Sequence, residues 1–384
     1  MALPYREWHD LNNEQLHAIA EVPLFDLAPV LERSRAQAML NSASVFKAGR
    51  FILGKQVRSF EQELANAFGS TVAIGVGSGT AAIELCLRAL RVAPDQDVIV
   101  PANTSLFTAQ AVLAAGARVR FADVDPHTLQ LTAETAAAAW TSSTAAIIGV
   151  HLYGNACPLG PLSDLCRERG VPLVQDACQA HGLRYQGQPL TTFSPYTAYS
   201  FYPTKNLGGV GDGGAVVTSS PELADHFRLL RDGGRDSDQW ARIPAINSRL
   251  SELQAACLRA FLPHLEHWNM HRRRIAQVYE EAFRGVPGVT PVPHEGESVH
   301  HLYVIRTARR DELREHLRST GIETAVHYPN PLHQHPAFAV RGSWAAEPCE
   351  AARACKEILS LPIGPHIQED TALHVAAQVG RFFA

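Results

Sequence analysis

Short apolar runs alternate with amphipathic stretches along the middle of the chain. Four runs predict buried strands: Val98–Val100, Val119–Phe121, Ala145–Val150 and Val171–Val174. Three stretches beside them predict helices: Ser105–Ala115, Thr132–Trp140 and Leu159–Arg169. Because the strand runs are apolar throughout instead of alternating, this order predicts a mainly parallel sheet covered by helices on both faces.

The second half of the chain continues this pattern and then changes it. Further strands are predicted at Ala198–Phe201, Ala215–Thr218 and His301–Ile305, and further helices at Pro221–Arg231, Ser248–Phe283 and Arg310–Ser319. The longest of these helices is expected to bend at Pro263. We expect a large domain over residues 22–265 and a smaller domain over residues 266–384, with residues 1–50 packing partly on the small domain.

Composition excludes several classes of function. The 384 residues carry a net charge of −4, which gives no general attraction to nucleic acid or to an anionic membrane. No apolar stretch reaches the roughly 18 residues that a bilayer span needs, and residues 1–15 lack the form of a signal peptide. The seven cysteines are widely spaced without a CxxC pair, which indicates reduced thiols in a cytoplasmic protein.

Histidines raise the question of a metal site. His264, His267 and His271 have helical spacing that could bind zinc. No cysteine or glutamate stands at zinc-like spacing beside them, so we interpret them as surface or packing residues and expect no metal.

Residues 75–80, Gly-Val-Gly-Ser-Gly-Thr, lead into a predicted helix over Ala81–Leu90. Small residues let the backbone approach an anion, and the start of a helix offers free N–H groups and a positive end. The turn lacks the lysine of a Walker loop, and Thr80 stands where GxGxxG has its third glycine. A plain tight turn with an N-cap residue explains the pattern equally well.

Two further residues complete a candidate site. Asp176 follows an apolar strand, where α/β sheets bind ligands, although it could also cap the next helix. Lys205 lies between two predicted strands and is followed by five glycines within residues 208–214. Pyridoxal-5′-phosphate (PLP) needs an anion cradle, an acid against its pyridine nitrogen and a lysine for a Schiff base. The three features together therefore predict a PLP enzyme with Lys205 as its Schiff-base lysine.

Ten collinear motifs run from about residue 22 to residue 365: VPLFDL, FILGKQVRSFEQELANAFG, GVGSGTAAIELCLRAL, VIVPANTSLFTAQAV, FADVDP, GVHLYGNACPLGPL, VQDACQAHG, SFYPTKNLGGVGDGGAVVT, NSRLSELQAA and HYPNPLHQHPAF. Together they resemble the DegT/DnrJ/EryC1/StrS family of PLP-dependent sugar aminotransferases. The resemblance implies the α/β fold of a type I PLP aminotransferase. Its large domain has a mainly parallel seven-stranded sheet, and its smaller C-terminal domain is α+β. It also implies a homodimer with active sites at the subunit interface.

The resemblance implies roles for individual residues. Lys205 binds the cofactor and moves the proton between cofactor and substrate, and Asp176 pairs with the pyridinium nitrogen. The other implied contacts are Gln179 near the ring hydroxyl, Gly79, Thr80 and Ser200 on the phosphate, Asn247 reaching the phosphate from the partner subunit, and His327 and Tyr328 near the substrate. His327 could instead be a histidine that packs within its loop.

Several positions depart from the family pattern. Ser105 stands where an aromatic ring usually lies over the cofactor, so either Phe107 substitutes for that ring or the stacking is absent. Ser194-Pro195, Asp232-Gly233-Gly234 and Asp238-Gln239 replace the Gly-Asp, Asn-Tyr-Gly and Lys-Tyr of relatives. Because these loops shape the acceptor pocket in relatives, the cofactor site is better defined by the sequence than the substrate is.

We therefore predict an aminotransferase that moves an amino group from an amino acid, expected to be L-glutamate, to a nucleotide-linked keto sugar. A family member that acts on another cyclic ketone, or that catalyses a different reaction, is the alternative. Lys205 argues against the dehydratase branch, in which histidine replaces this lysine. A regulatory protein would be expected to have lost the lysine or gained a DNA-binding domain.

Overall fold

The computed structural model describes residues 21–339, 342–344 and 347–384. The strands in chain order are β1 (Val72–Val76), β2 (Asp97–Pro101), β3 (Arg118–Ala122), β4 (Thr144–Val150), β5 (Leu173–Asp176), β6 (Arg184–Tyr185), β7 (Gln188–Pro189), β8 (Thr197–Ser200), β9 (Gly214–Thr218), β10 (Thr290–Pro291), β11 (Tyr303–Arg306), β12 (Gly342–Trp344) and β13 (Ile358–Leu361).

The helices in chain order are α1 (Ala28–Ala48), α2 (Lys55–Ala67), α3 (Gly79–Ala89), α4 (Leu106–Ala114), α5 (Ala133–Ala138), α6 (Leu159–Arg169), α7 (Pro221–Arg231), α8 (Glu252–Phe261), α9 (Leu265–Ala282), α10 (Arg310–Ser319), α11 (Pro336–Ala339), α12 (Cys349–Glu357) and α13 (Glu369–Phe383). No helix among the described residues is long and apolar enough to cross a membrane.

An eight-stranded sheet forms the centre of the molecule, with the order β1-β9-β8-β5-β4-β2-β3-β12. Within it β9 pairs antiparallel with β1 and β8, and the remaining pairs are parallel, which confirms the mainly parallel sheet. Seven of the strands form the expected sheet. The short β12 adds an eighth strand at the edge beside β3, although it comes from the C-terminal part of the chain.

Two apolar clusters cover the two faces of this sheet. Neighbouring residues of β1 alternate between them, with Ala73 in one cluster and Ile74 in the other. This alternation follows from the two-residue period of a strand. Helices α2 and α8 supply Phe60 and Phe261 to the first cluster, and α3 supplies Ile83 to the second. Both faces are therefore buried, as the apolar strand runs predicted.

Most predicted elements agree with the structure, and the differences have physical reasons. The structure breaks the predicted long helix into α8, a 3-10 turn over Leu262–His264 and α9, with Pro263 inside the break. Strand β5 begins two residues later than predicted because Pro172 has no N–H for the ladder. Helix α3 begins at Gly79 instead of Ala81, because the Ser78 side chain caps it.

A second structural unit is built from the three-stranded antiparallel sheet β10-β11-β13 and helices α9, α10 and α13. Val22 pairs with Ile322 in this unit, so the start of the described chain packs on it. Helix α1 instead lies on α8, where Asn41 Nδ2 donates to the Ala256 carbonyl. The described part of the N-terminal segment thus contacts both units, whereas residues 1–20 lie outside the described residues. The domain boundary between residues 265 and 266 stays a prediction.

Glu252 fixes the start of α2 from a distant part of the chain. Its carboxylate is buried and accepts hydrogen bonds from the backbone N–H groups of Gly54, Gln56 and Val57 at 2.7, 2.8 and 2.9 Å. These donors have no acceptor within the helix, so the carboxylate satisfies the helix start.

We expect Glu252→Ala to lower the free energy of unfolding by about 1–3 kcal/mol, because it leaves buried N–H donors unpaired. Thermal unfolding followed by circular dichroism measures the loss. The control is Glu315→Ala, which removes only an exposed ion pair with Arg318 and is expected to leave the unfolding midpoint unchanged. Equal midpoints for the two variants would contradict the capping role.

Candidate active site

Lys205 lies in the loop between β8 and β9. Its backbone N–H donates to the Tyr202 carbonyl at 2.9 Å, which shapes the loop into a tight turn. A Cβ on Gly208 would come within 2.1 Å of the Pro203 carbonyl oxygen, so the turn can close only on a glycine. Burial lowers the pKa of the Lys205 amine below its ordinary value, while the nearby Asp176 acts in the opposite direction. A lowered pKa is what a nucleophilic lysine needs.

Asp176 is the last residue of β5, a strand in the middle of the sheet. The Thr108 hydroxyl donates to its Oδ2 at 2.7 Å, and the Cys178 backbone N–H donates to its Oδ1 at 3.1 Å. Both side chains, Asp176 and Thr108, are buried. The carboxylate is therefore held in one orientation and keeps acceptor capacity for one more donor.

Thr108 was not predicted from the sequence. It belongs to α4, and its partner Asp176 is 68 residues away along the chain. The signal that could have identified it is a buried polar residue within the largely apolar helix Leu106–Ala114. The β2 and β5 strands bring the two residues together because both end at the same edge of the sheet.

Gly79 and Thr80 are the first two residues of α3, so their N–H groups have no acceptor within the helix. Ser78 caps the helix by accepting from Ala81 N–H at 3.1 Å. A Cβ on Gly79 would lie 2.6 Å from Ser200 Cβ and 2.7 Å from Cys178 Sγ. The helix start and Ser200 are thus in close contact, and the predicted phosphate-binding residues form one cradle.

Gln179 connects this region to the HYPNPLH motif. Its Oε1 accepts from the Tyr153 backbone N–H at 2.6 Å, and its Nε2 donates to the Tyr328 hydroxyl at 3.2 Å. The Tyr328 hydroxyl also contacts the Ser105 side chain. Tyr153 in turn donates its hydroxyl to the His327 carbonyl at 2.8 Å. The sequence-predicted Gln179, His327 and Tyr328 therefore belong to one network.

Burial keeps both residues of this motif uncharged. It lowers the pKa of His327 to about 4, with a further contribution from Lys205. It raises the pKa of Tyr328 to about 12. At neutral pH His327 is a neutral imidazole and Tyr328 a neutral phenol, so both act as hydrogen-bonding groups without charge.

Asn247 is the one predicted site residue that the structure leaves apart from the others. It is exposed, and its backbone pairs with Asp232. Its neighbour Ser248, which the sequence did not predict, accepts a hydrogen bond from Gly77 N–H at 3.0 Å. Ser248 therefore supports the glycine turn, whereas Asn247 is exposed.

The positions that depart from the family pattern have clear surroundings. Ser105 caps α4, accepting from Phe107 N–H at 3.4 Å, while the Phe107 ring is 57% exposed.

In the loop after α7, Asp232 accepts from Arg235 Nη2 at 3.0 Å and from Arg249 Nη1 at 2.9 Å. The ion pairs that Asp232 forms with Arg235 and Arg249 thus stabilise the conformation of this loop.

The residues at this sheet edge fit PLP. A side chain at position 79 would clash with Ser200 and Cys178, so only a glycine fits there. The first N–H groups of α3 are available to a phosphate. The Asp176 carboxylate can accept a further hydrogen bond. Among the described residues, no group of three or more His, Cys, Asp or Glu could hold a metal ion.

This combination of a type I aminotransferase fold with a partly buried lysine and a buried carboxylate defines a class of PLP-dependent aminotransferases. The model of the DegT/DnrJ/EryC1/StrS aminotransferase family matches residues 32–380, so the chain belongs to this family and is an enzyme of it. Members of the family are PLP enzymes.

Three relatives illustrate the similarity. The dTDP-3-amino-3,4,6-trideoxy-alpha-D-glucose transaminase of Streptomyces venezuelae is 42% identical over 92% of this chain and 94% of its own. The UDP-N-acetyl-3-dehydro-alpha-D-glucosamine 3-aminotransferase of Acidithiobacillus ferrooxidans is 37% identical over 94% of this chain and 97% of its own. The crystal structure of S. venezuelae DesV with a ketimine intermediate superposes with a TM-score of 0.91 at 39% identity, covering 94% of this chain and 98% of that chain.

We expect Thr108→Val to weaken PLP binding about tenfold to a hundredfold, because hydrogen bonds to charged groups contribute about 1.5–3 kcal/mol. Absorbance titration of the apoenzyme with PLP measures the dissociation constant. The matched control is Thr128→Val, which removes a part-buried threonine–aspartate hydrogen bond of 3.0 Å to Asp125. If both variants bind PLP as the native chain does, Thr108 has no part in the site.

Proposed function

We propose that the chain transfers an amino group from an amino acid, L-glutamate, to a nucleotide-linked keto sugar, with PLP carried by Lys205. The observation that supports this most strongly is the arrangement of the Lys205 amine, the Asp176 carboxylate and the start of α3 at one edge of the sheet. Each of the three alone has an ordinary structural explanation, and together they match the parts that PLP requires.

PLP supplies an electron sink that stabilises a negative charge on the substrate carbon. Asp176, oriented by Thr108 and by the Cys178 N–H, would hold a proton on the ring nitrogen. Lys205 would hold the cofactor covalently, and its amine would be the group that moves the proton at the substrate carbon. Gly79 and Thr80 would bind the phosphate through their backbone N–H groups.

Ser200 and Gln179 complete the cofactor contacts in this proposal. Ser200 ends β8 and packs against Gly79, so its hydroxyl is near the phosphate cradle. Gln179, held by Tyr153 and Tyr328, would lie near the ring hydroxyl.

The acceptor proposal rests on relatives and on the HYPNPLH motif. Relatives at 42% and 37% identity carry names that state a dTDP-linked and a UDP-linked amino sugar. His327 and Tyr328 supply neutral hydrogen-bonding groups beside Lys205, which suit the hydroxyl and carbonyl oxygens of a sugar. Tyr328 also contacts Ser105, so we propose that its ring takes over the place of the missing aromatic, and that Phe107 does not.

We propose that the protein acts as a homodimer in which Asn247 reaches the phosphate of the partner subunit. Asn247 is exposed next to Ser248, which binds the glycine turn of its own chain. Large apolar side chains are also exposed on several loops and helix ends, as is typical of surfaces that a partner covers. They are Phe46 (65%), Phe51 (44%), Phe107 (57%), Tyr202 (53%), Val210 (55%) and Trp240 (67%). The free thiols of all seven cysteines support a cytoplasmic location.

The chain with PLP is expected to show the visible absorbance band of a lysine imine, and L-glutamate is expected to remove it. Lys205→Ala is expected to lack the band, whereas Lys356→Ala, which changes an exposed lysine, is expected to keep it. Absorbance spectra before and after L-glutamate test this. A band that persists in Lys205→Ala would overturn the assignment, and a band unchanged by L-glutamate would favour another PLP reaction.

Asp176→Ala is expected to lower turnover at least about a hundredfold while the fold stays intact, because the cofactor ring loses the group that keeps its nitrogen protonated. Turnover with a nucleotide-linked keto sugar and L-glutamate, together with circular dichroism, measures both effects. Turnover close to that of the native chain would refute the role of Asp176.

A further inference from the structure

Three polar side chains form a continuous hydrogen-bonded row beside the Lys205 loop: His301, Asn206 and Asn269, which are 3%, 4% and 0% exposed. The row ends on the backbone carbonyl of His181, a residue that is 0% exposed. Asn206 directly follows Lys205, Asn269 belongs to α9, and His301 precedes β11. The row therefore connects the lysine loop to the second structural unit and, through His181, to the turn after β5.

The hydrogen-bond acceptors in this row determine which side-chain nitrogens carry a proton. Asn206 Nδ2 donates to the Val299 backbone carbonyl at 2.9 Å, and a carbonyl oxygen only accepts. The orientation of the Asn206 amide is thereby set, so Oδ1 faces His301 Nδ1 at 3.1 Å. Because Oδ1 also only accepts, Nδ1 of His301 carries the proton and Nε2 holds a lone pair.

The same reasoning applies to the other half of the row. Asn269 Nδ2 donates to the His181 backbone carbonyl at 2.8 Å, and its Oδ1 accepts from Asn206 Nδ2 at 2.9 Å. The His181 ring faces the Ser200 carbonyl through Nε2 at 2.7 Å, so Nε2 carries the proton. Nδ1 of His181 is buried without a hydrogen-bond partner. The His181 ring thus bonds to the carbonyl of Ser200, which packs against Gly79 at the start of α3.

The His301 ring within the row and the His181 ring at its end both stay neutral. Burial lowers the pKa of His181 to about 3 and that of His301 well below its ordinary value, and the charge of Lys205 acts in the same direction on each. The row therefore consists of neutral groups, and each residue donates a hydrogen bond to the next one. It runs from His301 through Asn206 to Asn269.

We propose that His301 is a positioning residue for Lys205, which acts by donating from Nδ1 to Asn206 and so holds the lysine loop closed. The proposal rests on the proposed function only in taking Lys205 as the cofactor lysine. The hydrogen bond reaches the residue adjacent to Lys205 from a segment 95 residues away, and it is the contact by which the His301 side chain touches the loop.

The expected consequence concerns the pKa of the Lys205 amine. Cys178, just after β5, and Asp176, at its end, favour its charged form. His181, His301 and His327 face it as neutral rings, and Arg272 from α9 is a cation held by the carbonyls of His300, His301 and Ile363. Desolvation lowers the pKa below its ordinary 10.5 in spite of the two acids. If the loop loosens, water reaches the Lys205 amine and stabilises its charged form. The pKa of Lys205 is therefore expected to rise.

Two substitutions distinguish the role of His301 Nδ1 from that of Nε2. In His301→Asn the side-chain amide can take the place of Nδ1 and keep the donor to Asn206. In His301→Gln the amide lies near the place of Nε2, and that donor is lost. The control is His267→Gln, which alters an exposed histidine of α9.

The pKa of Lys205 is measured in the apoenzyme by reductive ¹³C-methylation and NMR titration, which is practical because the chain has four lysines. We expect His301→Gln to raise it by about one unit, a tenfold loss of free amine at neutral pH, and His301→Asn to leave it near the native value. The visible band on adding PLP should then appear about tenfold more slowly with His301→Gln alone. An unchanged pKa in His301→Gln would overturn the proposal, as would equal shifts in both variants.

Asn206→Ala provides a second test that remains if His301→Gln fails to fold. It is expected to raise the pKa of Lys205 in the same direction, and the double variant is expected to add no further shift, because both act through one hydrogen bond. Additive shifts would contradict the proposal. Absence of the visible band in the native chain would refute Lys205 as the cofactor lysine, while the NMR shifts would still test its positioning.

Discussion

Burying a lysine amine constrains everything around it, because an ammonium group out of water requires a compensating charge or must lose its proton. In this chain the compensation is incomplete. Asp176 and Cys178 favour the charged amine, yet Asp176 is already bound to the Thr108 hydroxyl and to the Cys178 N–H. The pKa of Lys205 therefore stays below its ordinary value, and the amine is poised to react with a carbonyl.

The same constraint explains the histidines near the lysine. A protonated imidazole beside the Lys205 amine would add a second buried positive charge, and burial keeps His181, His301 and His327 neutral instead. Their ring nitrogens bond to the Ser200 backbone carbonyl, the Asn206 amide oxygen and the Ser360 hydroxyl, respectively. The histidines thus contribute neutral polar groups beside the Lys205 amine and the Asp176 carboxylate.

Local patterns in the sequence predicted most of the fold. Leu159–Arg169, Pro221–Arg231 and Arg310–Ser319 were predicted with the bounds that the structure has, because each helix has a clear start or stop signal. The strand β12 was not predicted, since three residues carry too little periodicity. The strand predicted from His301 begins at Tyr303 because the carbonyls of His300 and His301 bind Arg272 instead.

The candidate site was identified from short motifs in the sequence. Lys205, Asp176 and the glycine turn are recognisable because their chemistry lies in adjacent residues. Thr108 and Ser248 act on partners 68 and 171 residues away, and such contacts leave no trace in local sequence. The acceptor loop after α7 was identified as different, yet its ion pairs on Asp232 appear only in three dimensions.

The central claim is that Lys205 carries the cofactor, and the four lysines of the chain allow a direct test. Lys47, Lys55 and Lys356 are exposed, whereas Lys205 is partly buried. Borohydride reduction of the PLP-loaded protein makes the imine permanent, and peptide mass spectrometry then locates the pyridoxyl group. The structure predicts one label per chain, on the peptide that contains Lys205. A label on any of the three exposed lysines with Lys205 unmodified would contradict it.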